Sequence, residues 1–160
     1  MQRASCQPLL REDYDVIGED KLEVRMFVLA DWAAIPPDGK LYLGGAGVNS
    51  VRVDPIPGVL PALYLVVRVR VPWHLTSERL PFGVQLLDAD RQPIGTDPLA
   101  AGAAETGRPP GARPGDEFAV QFVLSLGGIP VNAAGTAFFH LTMAETPLGI
   151  LPLKIEHGHA

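Results

Sequence analysis

Four histidines, His74, His140, His157 and His159, are the natural candidates for acid–base or metal chemistry in this chain. His140 stands between Phe139 and Leu141 in an alternating run, so its side chain lies on the wall opposite theirs. A general base needs an acid or hydroxyl within hydrogen-bond reach. The sequence puts none beside His140, and a sheet-surface or hydrogen-bonded histidine is the expected reading. Ser50, Ser77 and Ser125 are the serines near strands, and none sits in a Gly-x-Ser-x-Gly elbow. His157-Gly158-His159 could touch a transition metal, but a terminal pair with no third ligand is expected to be inert. Asp88 and Asp90, with Asp97 and Asp54, could offer oxygens to calcium, which wants about six to eight of them. Aspartates so spaced more often close a turn by bonding their own backbone. Cys6 is the single cysteine, so neither an intrachain disulfide nor a cysteine-based zinc site can form. There is no phosphate-cradling Gly-x-x-x-x-Gly-Lys. No catalytic residue, metal site or cofactor is expected.

What remains is surface. Residues 107–115 form a proline- and glycine-rich loop in which Arg108, Pro109, Pro110 and Arg113 are a candidate interaction loop. Pro109-Pro110 favours polyproline II, although the same prolines serve equally to stiffen a connection. Trp32 and Tyr42 are a candidate aromatic surface of the kind that sugars and small ligands use. Trp73 follows a long strand and a proline, and is expected to plug one end of the core.

The elements that must carry these residues are strands. Leu63, Leu65, Val67, Val69 and Val71 alternate with Ala62, Tyr64, Val66, Arg68 and Arg70. Phe118, Val120, Phe122, Leu124 and Leu126 alternate with Glu117, Ala119, Gln121, Val123 and Ser125. A period of two gives one inward wall and one outward wall. A first strand is expected near 22–30, with Leu22, Val24, Met26 and Val28 on one face. Pro36-Pro37-Asp38-Gly39 reverses the chain into Leu41-Tyr42-Leu43, and Val51 and Val53 begin a short strand. Further strands are expected through Phe82, Val84 and Leu86, near 136–144, and from Leu148 to Leu153, with one short edge strand inside the long loop 96–116. Seven to nine such strands point to an all-β, antiparallel two-sheet sandwich of immunoglobulin- or fibronectin-like architecture, with an open β-barrel as the alternative.

The order of several segments resembles a family of small uncharacterised bacterial proteins that carry a domain of unknown function. The matching pieces are Ala30-Asp31, Asp38-Gly39-Lys40-Leu41-Tyr42 and Gly44-Gly45-Ala46-Gly47. After them come Val71-Pro72-Trp73, Leu86-Leu87-Asp88-Ala89-Asp90 and the loop from Gly107 to Gly115. The resemblance spans roughly residues 24–145 and implies a bacterial β-rich domain, with no catalytic residue to carry across.

Composition agrees with these elements. At 160 residues the chain suits one domain, and roughly 70% of the unfolded surface can be buried at this size. The expected plan is a loosely ordered leader over 1–20, a single domain over 21–155 and a polar tail over 156–160. A formal charge of −5 argues against nucleic acid, and Arg68, Arg70 and Arg79 read as a solvated strand face. No apolar run approaches the ~20 residues a membrane helix needs, and the N-terminus lacks the apolar core of a secretion signal. A cytoplasmic protein is therefore expected. The leading functional expectation is a non-catalytic interaction or scaffold module with a protein partner or a second copy of itself. A small-ligand or carbohydrate-binding sandwich is second, and a hydrolase or metal enzyme third.

Overall fold

A computed structural model describes residues 21–95 and 97–158. The leader expected over 1–20, with Cys6, and the terminal His159 lie outside the described residues. Eleven strands follow in order: β1 (Glu23–Ala34), β2 (Tyr42–Ala46), β3 (Ser50–Val53), β4 (Gly58–Val59), β5 (Tyr64–Val71), β6 (Leu80–Leu87), β7 (Ala100–Ala104), β8 (Phe118–Ser125), β9 (Pro130–Val131), β10 (Gly135–Met143) and β11 (Thr146–His157). A 3-10 turn, Trp73–Leu75, links β5 to β6. Among the described residues no helix is long and apolar enough to cross a membrane.

The strands form a sandwich. The first sheet has the order β2-β1-β5-β8, the second β3-β11-β10-β6-β7, and a small third pairs β4 with β9. The inner walls meet in one core that includes Leu29, Leu65, Val67 and Val69 from the first sheet and Val84, Phe139, Leu141 and Leu153 from the second. The Phe82 and Phe122 rings stack between β6 and β8 with centroids 4.5 Å apart. Gly149 of β11 lies where a Cβ would come within 3.2 Å of the Phe27 ring of β1, so its missing side chain makes room for that ring between the sheets.

Three expectations are corrected. A register shift between Val24 and Met26 moves the inner wall of β1 by one residue. Leu22, Val24, Phe27 and Leu29 face the core, rather than Leu22, Val24, Met26 and Val28. One extra residue in a strand exchanges its faces, and a count of period two cannot see that. The sandwich is also not wholly antiparallel, because β3 runs parallel to β11, Ser50 opposite Lys154 and Val53 opposite His157. Finally, β11 is twelve residues long and continues through Glu156 and His157, two positions into the expected tail. The turn after β1 forms as expected: Gly39 N–H donates to Pro36 C=O at 2.9 Å, and Gly39 takes a φ of 73°.

Candidate functional site

β8 closes one side of the first sheet. Its inner partner is β5, in unbroken register from Tyr64 opposite Ser125 to Val71 opposite Phe118. Leu126 N–H donates to Leu63 C=O at 2.8 Å, which makes 63/126 a hydrogen-bonded pair. Antiparallel pairs alternate, so 65/124, 67/122 and 69/120 are bonded pairs as well. The backbone N–H and C=O groups of Ala119, Gln121, Val123 and Ser125 therefore point away from β5, along the free margin. No described strand pairs with that margin.

The residues of this edge are Phe-Ala-Val-Gln-Phe-Val-Leu-Ser, with no charge, proline or glycine among them. Natural edges are usually blunted by Lys, Pro or a bulge, and this one carries none of those devices. The sandwich is open beside it. Val67 and Leu65 are completely buried, while their β8 partners Phe122 and Leu124 are only half-buried. On the same side the second sheet ends in β7, Ala-Ala-Gly-Ala-Ala, whose side chains stop at a methyl group.

One end of this region is clamped. Thr76, the one buried polar residue among those described, donates from Oγ1 to Trp73 C=O at 2.8 Å. Arg108 folds over the turn, with Nε donating to Thr76 Oγ1 at 2.6 Å and an η-nitrogen to Trp73 C=O at 2.9 Å. Its guanidinium lies 4.4 Å from the Trp73 ring centroid, a cation–π contact. Thr106 Oγ1 also donates, to Thr76 C=O at 2.8 Å. Trp73 leans on Phe118, the first residue of β8, at 5.8 Å. Trp73, expected to plug one end of the core, is thus half-buried there beneath an arginine. Pro109, Pro110 and Arg113 stay exposed beyond the clamp. Ala112 N–H to Pro109 C=O and Asp116 N–H to Arg113 C=O close two turns there. Within the candidate loop it is the Arg108 side chain that hydrogen-bonds to the body of the fold, which pins the loop.

Trp32 and Tyr42 fall on the outer wall of the β1–β2 hairpin, Trp32 opposite Gly44 and Tyr42 opposite Ala34. They are diagonal neighbours and both are exposed, at 50% and 42%. Tyr42 donates its hydroxyl to Asp38 at 3.0 Å. The same loop reaches β8, where Gln121 Nε2 donates to Gly39 C=O at 2.6 Å while Gln121 Oε1 accepts from Arg68. Arg70 pairs with Glu23 at 3.0 Å. Two of the three grouped arginines are thus held by partners, and they make no bare basic patch.

A pocket of about 290 Å3 opens at one end of the sandwich, lined by Leu86, Ile94, Val131, Leu153 and Ile155. Ala89, Ala133, Ala134, Gly135 and Ala137 line it too, too small to fill the space, and Asp88 stands among them. Asp88 Oδ1 accepts from Asp90 N–H and Gln92 N–H at 2.9 and 2.8 Å, the turn geometry expected of it. Elsewhere, His140 lies on the outer wall of the second sheet between Gln85 and Ile150. Among the described residues no group of three His, Cys, Asp or Glu side chains could hold a metal ion.

The model of a family of unknown function, DUF6941, matches residues 25–156. The chain belongs to that family. No curated protein matches it. Among solved structures it is similar to the Pseudomonas fluorescens alkylpurine DNA glycosylase AlkC bound to DNA containing an abasic site analog. Sequence identity there is 7% and the TM-score 0.41, over 86% of this chain and 31% of that one. The chain spans about a third of that protein's length, and the likeness is too low to bear on activity.

The structure leaves the arginine–proline loop and the aromatic pair as separate surfaces. The β8 margin was not singled out by the sequence reading, since alternation marks a strand without saying which strand is last. The pocket was missed as well. Its only signal was the run Ala133-Ala134-Gly135 before a strand, which looks like any turn.

Proposed function

We propose that this protein is a non-catalytic interaction module that takes an extended protein segment as an added strand along β8. One observation carries the proposal: the eight uncharged residues of β8 present four backbone positions with no partner among the described strands. In strand addition, main-chain hydrogen bonds supply affinity and alternate side chains supply selectivity. A bacterial cytoplasmic setting belongs to the same proposal, its bacterial part supported by the segment order. The test is selection of peptides from a displayed library on the full chain, with Val123→Pro as counter-target. That substitution removes an outward N–H and no bond to β5. Selected peptides are expected to lose at least about tenfold in affinity, some 1.4 kcal/mol, for the variant. Recovery of no peptides, or equal binding to both proteins, refutes the proposal.

A second reading, a small-ligand module, rests on the 290 Å3 apolar pocket, close to the lower end of the range for ligand sites. The exposed Trp32 and Tyr42 offer its carbohydrate form. A thermal-shift screen of compact apolar molecules and glycans tests both, with Ala134→Trp to fill the pocket and Trp32→Ala to remove the platform. A shift abolished by either variant supports the corresponding form, and no shift with any compound removes the reading.

A further inference from the structure

We infer that the strand added to β8 is the β8 of a second copy of this chain, placed antiparallel about a twofold axis that passes beside Phe122. This rests on the interaction reading above and names its partner. The outward backbone positions are 119, 121, 123 and 125, and they are symmetric about residue 122. In the register that sets residue i opposite residue 244 − i, Ala119 faces Ser125 and Gln121 faces Val123, each twice. All four outward positions are then used, whereas neighbouring registers of the same parity use three or fewer. Each such pair exchanges two backbone bonds, about eight in all, which is the self-complementary pattern a twofold interface requires.

Side chains agree with this register. On the inner wall Phe122 meets its symmetry mate and Val120 meets Leu124, so the half-buried wall of β8 becomes covered. Acidic residues flank the strand on one end only: Asp116 and Glu117 precede it, while Gly127 and Gly128 follow. The same register sets Glu117 against Gly127 and Asp116 against Gly128, so like charges never lie opposite one another. The neighbouring β7 edge, built of Ala and Gly, carries no long side chain to hold the second molecule away. Each copy carries a charge of −5, so added salt strengthens the pairing rather than weakening it.

Three measurements on the full chain test this. Light scattering from micromolar to millimolar concentration is expected to show a monomer–dimer equilibrium, shifted by Val123→Pro at least about tenfold towards monomer. In a Cys6→Ser background, Ala119→Cys and Ser125→Cys proteins are mixed and oxidised. Hydrogen-bonded partners lie about 5.5 Å apart at Cα, within disulfide reach. The mixture is expected to yield a cross-linked heterodimer, and neither variant alone a cross-linked dimer. A wild-type chain that stays monomeric throughout overturns the inference. A dimer that Val123→Pro leaves intact does too, as does equal cross-linking of either single variant. A strict monomer that still selects edge-dependent peptides separates failure of this inference from failure of the interaction reading.

Discussion

β5 and β8 lie side by side, alternate alike, and pair residue for residue from Tyr64/Ser125 to Val71/Phe118. They differ in what stands on their other flank. β5 has β1 there, and Leu65, Val66, Val67 and Val69 are wholly buried. β8 has no described strand beyond it, and Val120, Phe122, Val123 and Leu124 are half-buried. Even the outward-facing Val66 is sealed while its partner Val123 is not. The loop after β1 reaches over this wall to Gln121. Equal patterns thus give unequal roles, and the flank decides which strand is core and which is available.

The sharpest way to break the comparison is one substitution made in both partners of a pair. Val66→Pro removes a ladder bond inside the sheet, because its N–H points to β1, and cooperative folding is expected to be lost. Val123→Pro is expected to keep a cooperative melting transition. If both unfold, or both fold, β8 is not the margin described. Next, Leu65→Ala is expected to cost about 2–5 kcal/mol, the range for a buried leucine. Leu124→Ala, directly opposite, leaves less of a cavity, and about 1–2 kcal/mol is expected. Urea denaturation of the two proteins reads the difference, and equal costs would show that β8 is as enclosed as β5.

The clamp where the two strands meet sharpens the comparison further. Arg108→Ala removes two charge-assisted hydrogen bonds and a cation–π contact from an exposed residue, and about 1–2 kcal/mol of stability is expected to go with them. Arg108→Lys is expected to recover little, since a point charge cannot reproduce the planar fork. Full recovery with lysine would reduce the contact to simple charge. The smallest effect is expected in the other sheet, at Lys154 of β11. Its ammonium hydrogen-bonds and attracts Glu156, holding that carboxyl below the ordinary glutamate range. A lowered folded value stabilises above the unfolded pKa and fades as pH falls through the folded one. Because the pair is exposed, Lys154→Ala is expected to leave the melting midpoint unchanged at neutral pH.

Much of this fold was legible in the residues. The alternations over 62–71 and 117–126, the Asp38-Gly39 reversal and a short edge strand inside the loop 96–116 all appear where the patterning puts them. What failed to show was lateral. Met26 and Val28 left the core because a register shift interrupts β1, and the parallel pairing of β3 with β11 came from segments a hundred residues apart. Arg108 read as a surface residue until the fold brought Thr76 and Trp73 beneath it.

Period-two alternation by itself determined that this chain is built of strands with one inward wall, and which side chains of β5 and β8 turn inward. That follows because each side chain's direction is set by its own backbone and by water's rejection of apolar surface. Only the tertiary structure decided which strands are neighbours and which stands last. Ladder hydrogen bonds join backbone groups common to every residue, so the sequence of a strand does not announce whether its second side is taken.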